Sequence, residues 1–194
     1  MQPLTTAQDT LPLDVAVPPP LAPADFAEPL DTATLYSVLP SPIGDLLLTG
    51  DGESLTGLWM GPEKGAEAGI GSDWRHDPAW FGAVADQLRA YFAGELREFS
   101  VRLAPAGTRF QRRVWRELTT IAYGRTTSYG AIAAAIGHPN GSRAVGMANG
   151  RNPISIIVPC HRVIGANGSL TGYGGGLGRK RHLLALEGGT GRQP

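Results

Sequence analysis

The spacing of apolar side chains changes along the chain and divides it into an α+β part followed by a mainly helical one. Short apolar runs at 35–39, 45–49 and 55–60 are separated by Pro40-Ser41-Pro42 and Gly50-Asp51-Gly52, and predict a meander of antiparallel strands. Residues 61–77, rich in glycine and charge, predict a loop. Trp80, Val84, Leu88, Tyr91 and Phe92 then recur at helical spacing until Gly94. A further run at 99–103 predicts a last strand, and Pro105-Ala106-Gly107 closes this first domain.

Beyond that boundary the pattern is helical. Thr108 is placed to cap a helix carrying Phe110, Val114, Trp115 and Leu118, which Tyr123-Gly124 would end. Thr127 or Ser128 would cap a helix over 129–136. Gly137-His138-Pro139-Asn140 reads as a turn, and Ser142 as the cap of a helix over 143–149. Two short helices joined by a tight turn outline a helix-turn-helix. From Arg143 to Gly150 the second helix has little bulk with which to read base edges in a major groove. Its small side chains instead permit close backbone approach, either to a packed neighbour or to a minor groove. Residues 154–158, β-branched and apolar, predict a buried strand that delivers Pro159-Cys160-His161-Arg162-Val163 at its end. A helical stretch from Lys180 to Leu186 precedes Glu187.

Composition adds the ends of this layout. Seven prolines fall within residues 1–33, which lack any periodicity and predict a disordered tail. The expected organisation is therefore a tail over 1–33, an α+β domain over 34–104, a second domain over 108–188 and a flexible end over 189–194.

Charge changes the picture more. The net charge is zero, yet residues 1–108 carry 5 Lys and Arg against 15 Asp and Glu, whereas 109–194 carry 12 against 2. The halves are thus −10 and +10. An arginine-rich half suits a polyanion, because each phosphate it neutralises releases condensed counterions.

The single cysteine excludes an internal disulfide and a cysteine-based zinc site, and the four histidines lack metal-ligand spacing; no cofactor and no metal are expected. No basic residue precedes Lys64, so no leader peptide is expected, and no apolar run approaches the roughly 18 residues that span a bilayer. The expected location is cytoplasmic, where a free thiol persists.

Lone cysteines are commonly inert small hydrophobes, but Cys160 has His161 and Arg162 beside it, whose charge and donors favour the reactive thiolate. In an extended chain His161 would face away from Cys160, so a bridging water or a looped backbone is needed for proton transfer. That histidine needs a third group to hold its tautomer. The second half offers only Glu117 and Glu187, and Glu187 is the better placed. Other chemistries fail on spacing: Arg179 stands where a phosphate loop requires glycine before Lys180, and no serine has glycine two residues away on both sides.

In order, Phe110-Gln111-x-x-Val114-Trp115, Thr127-Ser128-Tyr129-Gly130, Arg143-Ala144-Val145-Gly146, Asn152-Pro153, Pro159 to Val163 and Gly172-Tyr173-x-Gly175-Gly176 resemble the O6-alkylguanine-DNA alkyltransferases, also called methylated-DNA–protein-cysteine methyltransferases. The likeness is strong over about 108–188 and holds in layout only before it. It implies a small ribonuclease-H-like antiparallel-sheet domain, then a helical domain with the helix-turn-helix and active-site loop. It implies direct-reversal repair of O6-methylguanine, and of O4-methylthymine, in a single-turnover reaction that consumes Cys160. The partner would be alkylated double-stranded DNA, bound through its minor groove by a protein monomeric when free.

Residue by residue, the resemblance makes Cys160 the alkyl acceptor and His161 its base through water, oriented by Glu187. Tyr129 would help extrude the nucleotide and donate to guanine N3, and Asn152 would tie the turn before Pro153. Arg143 would be the finger that fills the vacated stack, with Ala144, Gly146, Ala148 and Arg151 against the DNA. Tyr129, Cys160, Val163, Tyr173 and Gly174 would form the base pocket, with the carbonyls of Cys160 and Val163 recognising the exocyclic amine. Two positions depart from the pattern: Ala122 stands where many members have proline, and Gly174 where some have serine, which loosens the loop. Two rival classes remain, a non-catalytic module that binds alkylguanine, whose members carry tryptophan at the cysteine position, and a cysteine hydrolase using Cys160 and His161.

Overall fold

The computed structural model describes residues 24–61 and 70–188. Strands β1 (Leu35–Leu39), β2 (Leu46–Gly50) and β3 (Leu55–Met60) form the expected antiparallel meander, in the order β3-β2-β1-β4. The fourth strand, β4 (Arg75–His76), pairs parallel to β1 inside the segment expected to be all loop, which makes the sheet mixed. Residues 62–69 of that segment lie outside the described residues. Leu35, Leu46, Leu48, Leu58 and Met60 turn one face of the sheet into core, and α1 (Gly82–Phe92) lays Val84, Leu88 and Tyr91 on it. At about 25 cal/mol per Å² of buried apolar surface, such side chains contribute on the order of 2 kcal/mol each.

The strand expected over 99–103 is an irregular extended segment, held to the sheet only near Leu55: Leu55 N donates to Arg102 O and Ala104 N to Leu55 O. Of the tail expected over 1–33, residues 1–23 lie outside the described residues, but the last ten are fastened to the body. Phe26 is buried, Ala27 N donates to Leu103 O, and Asp51 accepts from Leu30 N. One buried aromatic and a few hydrogen bonds hold this segment without any periodic signal. The end expected to be flexible, 189–194, is also outside the described residues.

The second part is built on α2 (Arg109–Leu118), α3 (Tyr129–Ala135) and α4 (Ser142–Gly150), with α5 (Leu177–Leu186) closing it. Thr108 caps α2 as expected, in a reciprocal capping box with Gln111. The helix ends at Leu118, before Tyr123-Gly124, because Thr119 and Thr120 turn their hydroxyls onto the last carbonyls. Ser128 caps α3 through Ala131 N. Ser142, expected as a cap, lies inside α4; Gly141 holds the cap position and no side chain serves there. Trp115 Nε1 donates to Ala148 O and locks α4 onto α2.

The two parts share one continuous core. Edge strand β3 is covered by the second part, with Leu58 N donating to Pro153 O and Ser155 N to Leu58 O. Arg179 of α5 reaches back to Ile43 O and Met60 O.

Candidate active site

The segment expected as a buried strand over 154–158 is a sequence of tight turns with a single bridge to β3, Ile154 opposite Leu58. Its apolar run reflects burial from all sides, which periodicity cannot distinguish from a strand. Asn152 organises it: Oδ1 accepts from Ile154 N at 3.0 Å, while Nδ2 donates to Val158 O at 2.8 Å and Ile154 O at 3.3 Å. Ile156 sits at φ 70°, a conformation costly for a β-branched residue and sustained here by the surrounding packing.

These turns end in a 3-10 turn, Cys160–Arg162, so Cys160 and His161 do not alternate across an extended chain. Cys160 is 4% exposed and His161 fully buried. His161 Nε2 lies 2.8 Å from Glu187 Oε1, and its buried Nδ1 has no hydrogen-bond partner among the described residues. The assignment that follows is an Nε2–H donated to the carboxylate, leaving Nδ1 as a proton acceptor. Burial lowers the imidazole pKa; the charges of Arg162 and Lys180 push the same way, against Glu187.

Glu187 accepts five hydrogen bonds. Tyr91 Oη, His161 Nε2 and Arg162 Nη2 converge on Oε1 at 2.8, 2.8 and 2.9 Å; Arg162 Nε and Gly124 N reach Oε2 at 2.9 and 3.3 Å. Burial alone would raise its pKa, but hydrogen bonds and charge from His161 and Arg162 outweigh that and hold it at about 2. Arg162, expected to lend its charge to the thiol, spends it here and on Ile121 O. The nearby cation is instead Lys180. Fully buried on α5, it donates from Nζ to Val163 O at 2.6 Å and Thr171 O at 3.1 Å, within electrostatic reach of Cys160. Burial lowers its pKa to about 8.

Lys180, Tyr91 and Asn149 were missed as site residues. A signal existed for Lys180, since 180, 183, 184 and 187 share one helical face whose other members are two leucines and Glu187. Asn149 Nδ2 approaches Cys160 O at 3.4 Å, from the buried face of α4. Nothing in the sequence separates Tyr91 from a core aromatic.

A cleft of about 630 Å³ is lined by Tyr129, Arg143, Gly146, Met147, Tyr173 and Gly174 among others; of the expected base pocket it brings together Tyr129, Tyr173 and Gly174, while Cys160 and Val163 do not line it. Tyr129 Oη donates to Thr171 O at 3.1 Å, and partial burial raises its pKa. A Cβ at Gly146 would lie in ordinary contact with the Tyr129 ring at 3.7 Å, so the ring packs beside the helix here with room for an alanine as well. Arg143, Ala144 and Arg151 are exposed. Ala148, expected against DNA, is buried in the core beneath Trp115, because it shares the inward face with Val145 and Asn149. Met147, 58% exposed, occupies the outward face. The two carbonyls expected to recognise a base are already engaged: Val163 O by Lys180, Cys160 O by Val163 N and Asn149.

Gly124 links the Tyr123 turn to this network. Its φ is +72°, and an added Cβ would lie 2.7 Å from Glu187 O. Gly124→Ala is expected to cost about 2 kcal/mol in urea unfolding, through left-handed strain and that backbone clash. An unchanged midpoint would show that the turn relaxes freely.

Two family models cover nearly all the described chain: the 6-O-methylguanine DNA methyltransferase ribonuclease-like domain over residues 34–105, and the DNA binding domain of the same name over 109–189. The chain belongs to the 6-O-methylguanine DNA methyltransferase family. Among relatives, the methylated-DNA–protein-cysteine methyltransferase of Mycobacterium tuberculosis is 59% identical over 152 residues, 78% of this chain and 91% of that protein. That of Methanosarcina acetivorans is 54% identical over 154 residues, 79% and 97% of the two chains. The crystal structure of Mycobacterium tuberculosis OGT in complex with DNA superposes with a TM-score of 0.74 at 57% identity, covering 79% of this chain and 92% of that one. As a member of this family the chain has the expected fold class, a small sheet domain followed by a helical one. Among the described residues no helix is long and apolar enough to cross a membrane, and no group of His, Cys, Asp and Glu is arranged to hold a metal ion.

Proposed function

We propose that the protein performs direct-reversal DNA repair, moving the methyl group of O6-methylguanine, and of O4-methylthymine, irreversibly to Cys160. The observation that carries this reading is a buried imidazole, next to the chain's only cysteine in one 3-10 turn, whose Nε2 is fixed on Glu187 and whose Nδ1 is left to accept a proton. Relatives carry the name of this activity, and one homologue was crystallised with DNA.

The thiol proton passes through a water to His161 Nδ1, and Glu187 stabilises the imidazolium that forms. Lys180 stabilises the thiolate. The sulfur attacks the methyl carbon as the carbon–O6 bond breaks, and the electron pair moves into the guanine ring. Tyr129 exchanges its bond to Thr171 O for one to guanine N3, meeting the charge that develops there. The guanine anion takes a proton at N1 from water, the proton held by His161 passes to solvent, and the products are S-methylcysteine and unmodified guanine; no group in the site reverses the thioether.

Reaching the thiol requires the nucleotide to leave the stack, since an alkylated oxygen inside the duplex is inaccessible. Double-stranded DNA enters through its minor groove onto the exposed face of α4, with Arg143 filling the stack. The free protein acts as a monomer in the cytoplasm.

An O6-methylguanine duplex carrying labelled methyl tests the reading. One equivalent of label on the Cys160 peptide is expected; an untouched lesion would indicate a binding module, and repeated release of a small product a hydrolase. A duplex with O4-methylthymine checks the second substrate. Gly174 predicts a further outcome: Gly174→Ser should react more slowly with O6-benzylguanine than the parent, because serine stiffens the loop that must admit the ring. Equal rates would remove that idea.

A further inference from the structure

We propose that the arginine face of α2 is a second phosphate-binding surface for duplex DNA, separate from the recognition helix. The proposal deepens the repair reading and rests on it for the identity of the polyanion. Arg109, Arg113 and Arg116 are exposed at positions i, i+4 and i+7, so they form one stripe, with Arg112 half-buried on its flank.

The stripe borders a cleft of about 800 Å³ that also includes Phe110 and His138. His138 belongs to the α3–α4 turn and meets the Phe110 ring edge-on, with centroids 5.7 Å apart. In the same turn, a Cβ at Gly137 would lie 3.8 Å from Arg113 Nη2. The basic face is therefore continuous with the turn that leads into Arg143.

Acidic groups cover only part of this face. Arg116 pairs with Asp25 at 3.4 Å and Arg112 with Glu28, while Glu117 faces Thr120. Among the described residues no hydrogen bond or ion pair engages the side chain of Arg109 or Arg113. Four guanidiniums against two carboxylates leave an excess of positive charge, and a planar guanidinium can meet two phosphate oxygens at once. Charge complementarity thus favours a phosphate backbone.

Binding of a short unmodified duplex, followed by fluorescence anisotropy between about 50 and 200 mM salt, reads this directly. Each lost phosphate contact flattens log K against log salt by about 0.9. The Arg109→Gln/Arg113→Gln double variant is expected to be about two units shallower, and Arg113→Gln alone about one, which covers a double variant that does not fold. An Arg75→Gln/Arg102→Gln variant removes two exposed charges from the first domain and should leave the slope unchanged. An unaltered slope in the α2 variants, or equal flattening in the control, overturns the proposal. So does loss of self-association in the α2 variants without a change in slope, which would assign the face to the acidic half of a second copy. If the parent takes no label onto Cys160, the repair reading fails instead, and the slope comparison still stands on its own.

Discussion

Glu187→Gln is expected to be the most destabilising single change in the molecule for its size, costing about 3 to 5 kcal/mol at neutral pH. Glutamine preserves the volume of the side chain. It does not preserve the chemistry, because the native carboxylate meets five donors and an amide must turn an NH2 toward one group of them. Either Arg162 Nε and Gly124 N, or Tyr91 Oη, His161 Nε2 and Arg162 Nη2, then face a donor, and the Arg162 charge is left buried without its counterion. The same substitution removes the group that fixes the His161 tautomer, so methyl transfer should fall by about two orders of magnitude or more.

The pH dependence has a definite sign. Glu187 has its pKa lowered from 4.5 to about 2, so the folded state gains from its ionisation. That gain is complete above pH 4.5 and is lost as the pH falls toward 2. At 1.36 kcal/mol per unit the parent should shed about 3 kcal/mol over this window. Glu187→Gln should lack that part of the acid slope. Urea unfolding of both proteins in acid and at neutral pH checks the size and the slope together; parallel curves would mean that the five-donor arrangement contributes little.

What could be read from the sequence was local. Thr108 announces its helix because an N-cap is a signal of a single residue, and the three-strand meander is visible because turn residues punctuate it. The motif around Cys160 is visible because nucleophile, base and arginine are contiguous. What could not be read depends on contacts between distant segments. Tyr91 reaches Glu187 across 96 positions, Lys180 reaches Val163 from another element, and Phe26 docks ahead of the first strand. The 154–158 segment shows a further limit. Burial from every side erases alternation, so five apolar residues look like a strand whether they form one or fold into turns. Ala148 shows the same for helices: small residues on both faces of α4 hide which face is inward.

Cys160→Ala is expected to abolish methyl transfer completely while leaving the fold and DNA binding in place. The loss should be total because the chain has no other cysteine, and no other side chain in the site combines a soft nucleophile with the His161 acceptor. The cost to stability should be about 1 kcal/mol, that of removing one buried atom group, since the five donors of Glu187 all come from other residues. A variant that binds but cannot react should hold an O6-methylguanine duplex as a stable complex, whereas the parent reacts once and converts its ligand to normal DNA. Cys160→Ser makes the test stricter. Its hydroxyl keeps nearly the same volume, but a serine oxygen with this neutral, buried imidazole as its base ionises far less readily than a thiol, so no label should transfer over many parent half-times. Label on any residue of the alanine variant would place the acceptor elsewhere. A released methyl product from either variant would make His161 a base for water and convert the reading from self-alkylation to hydrolysis.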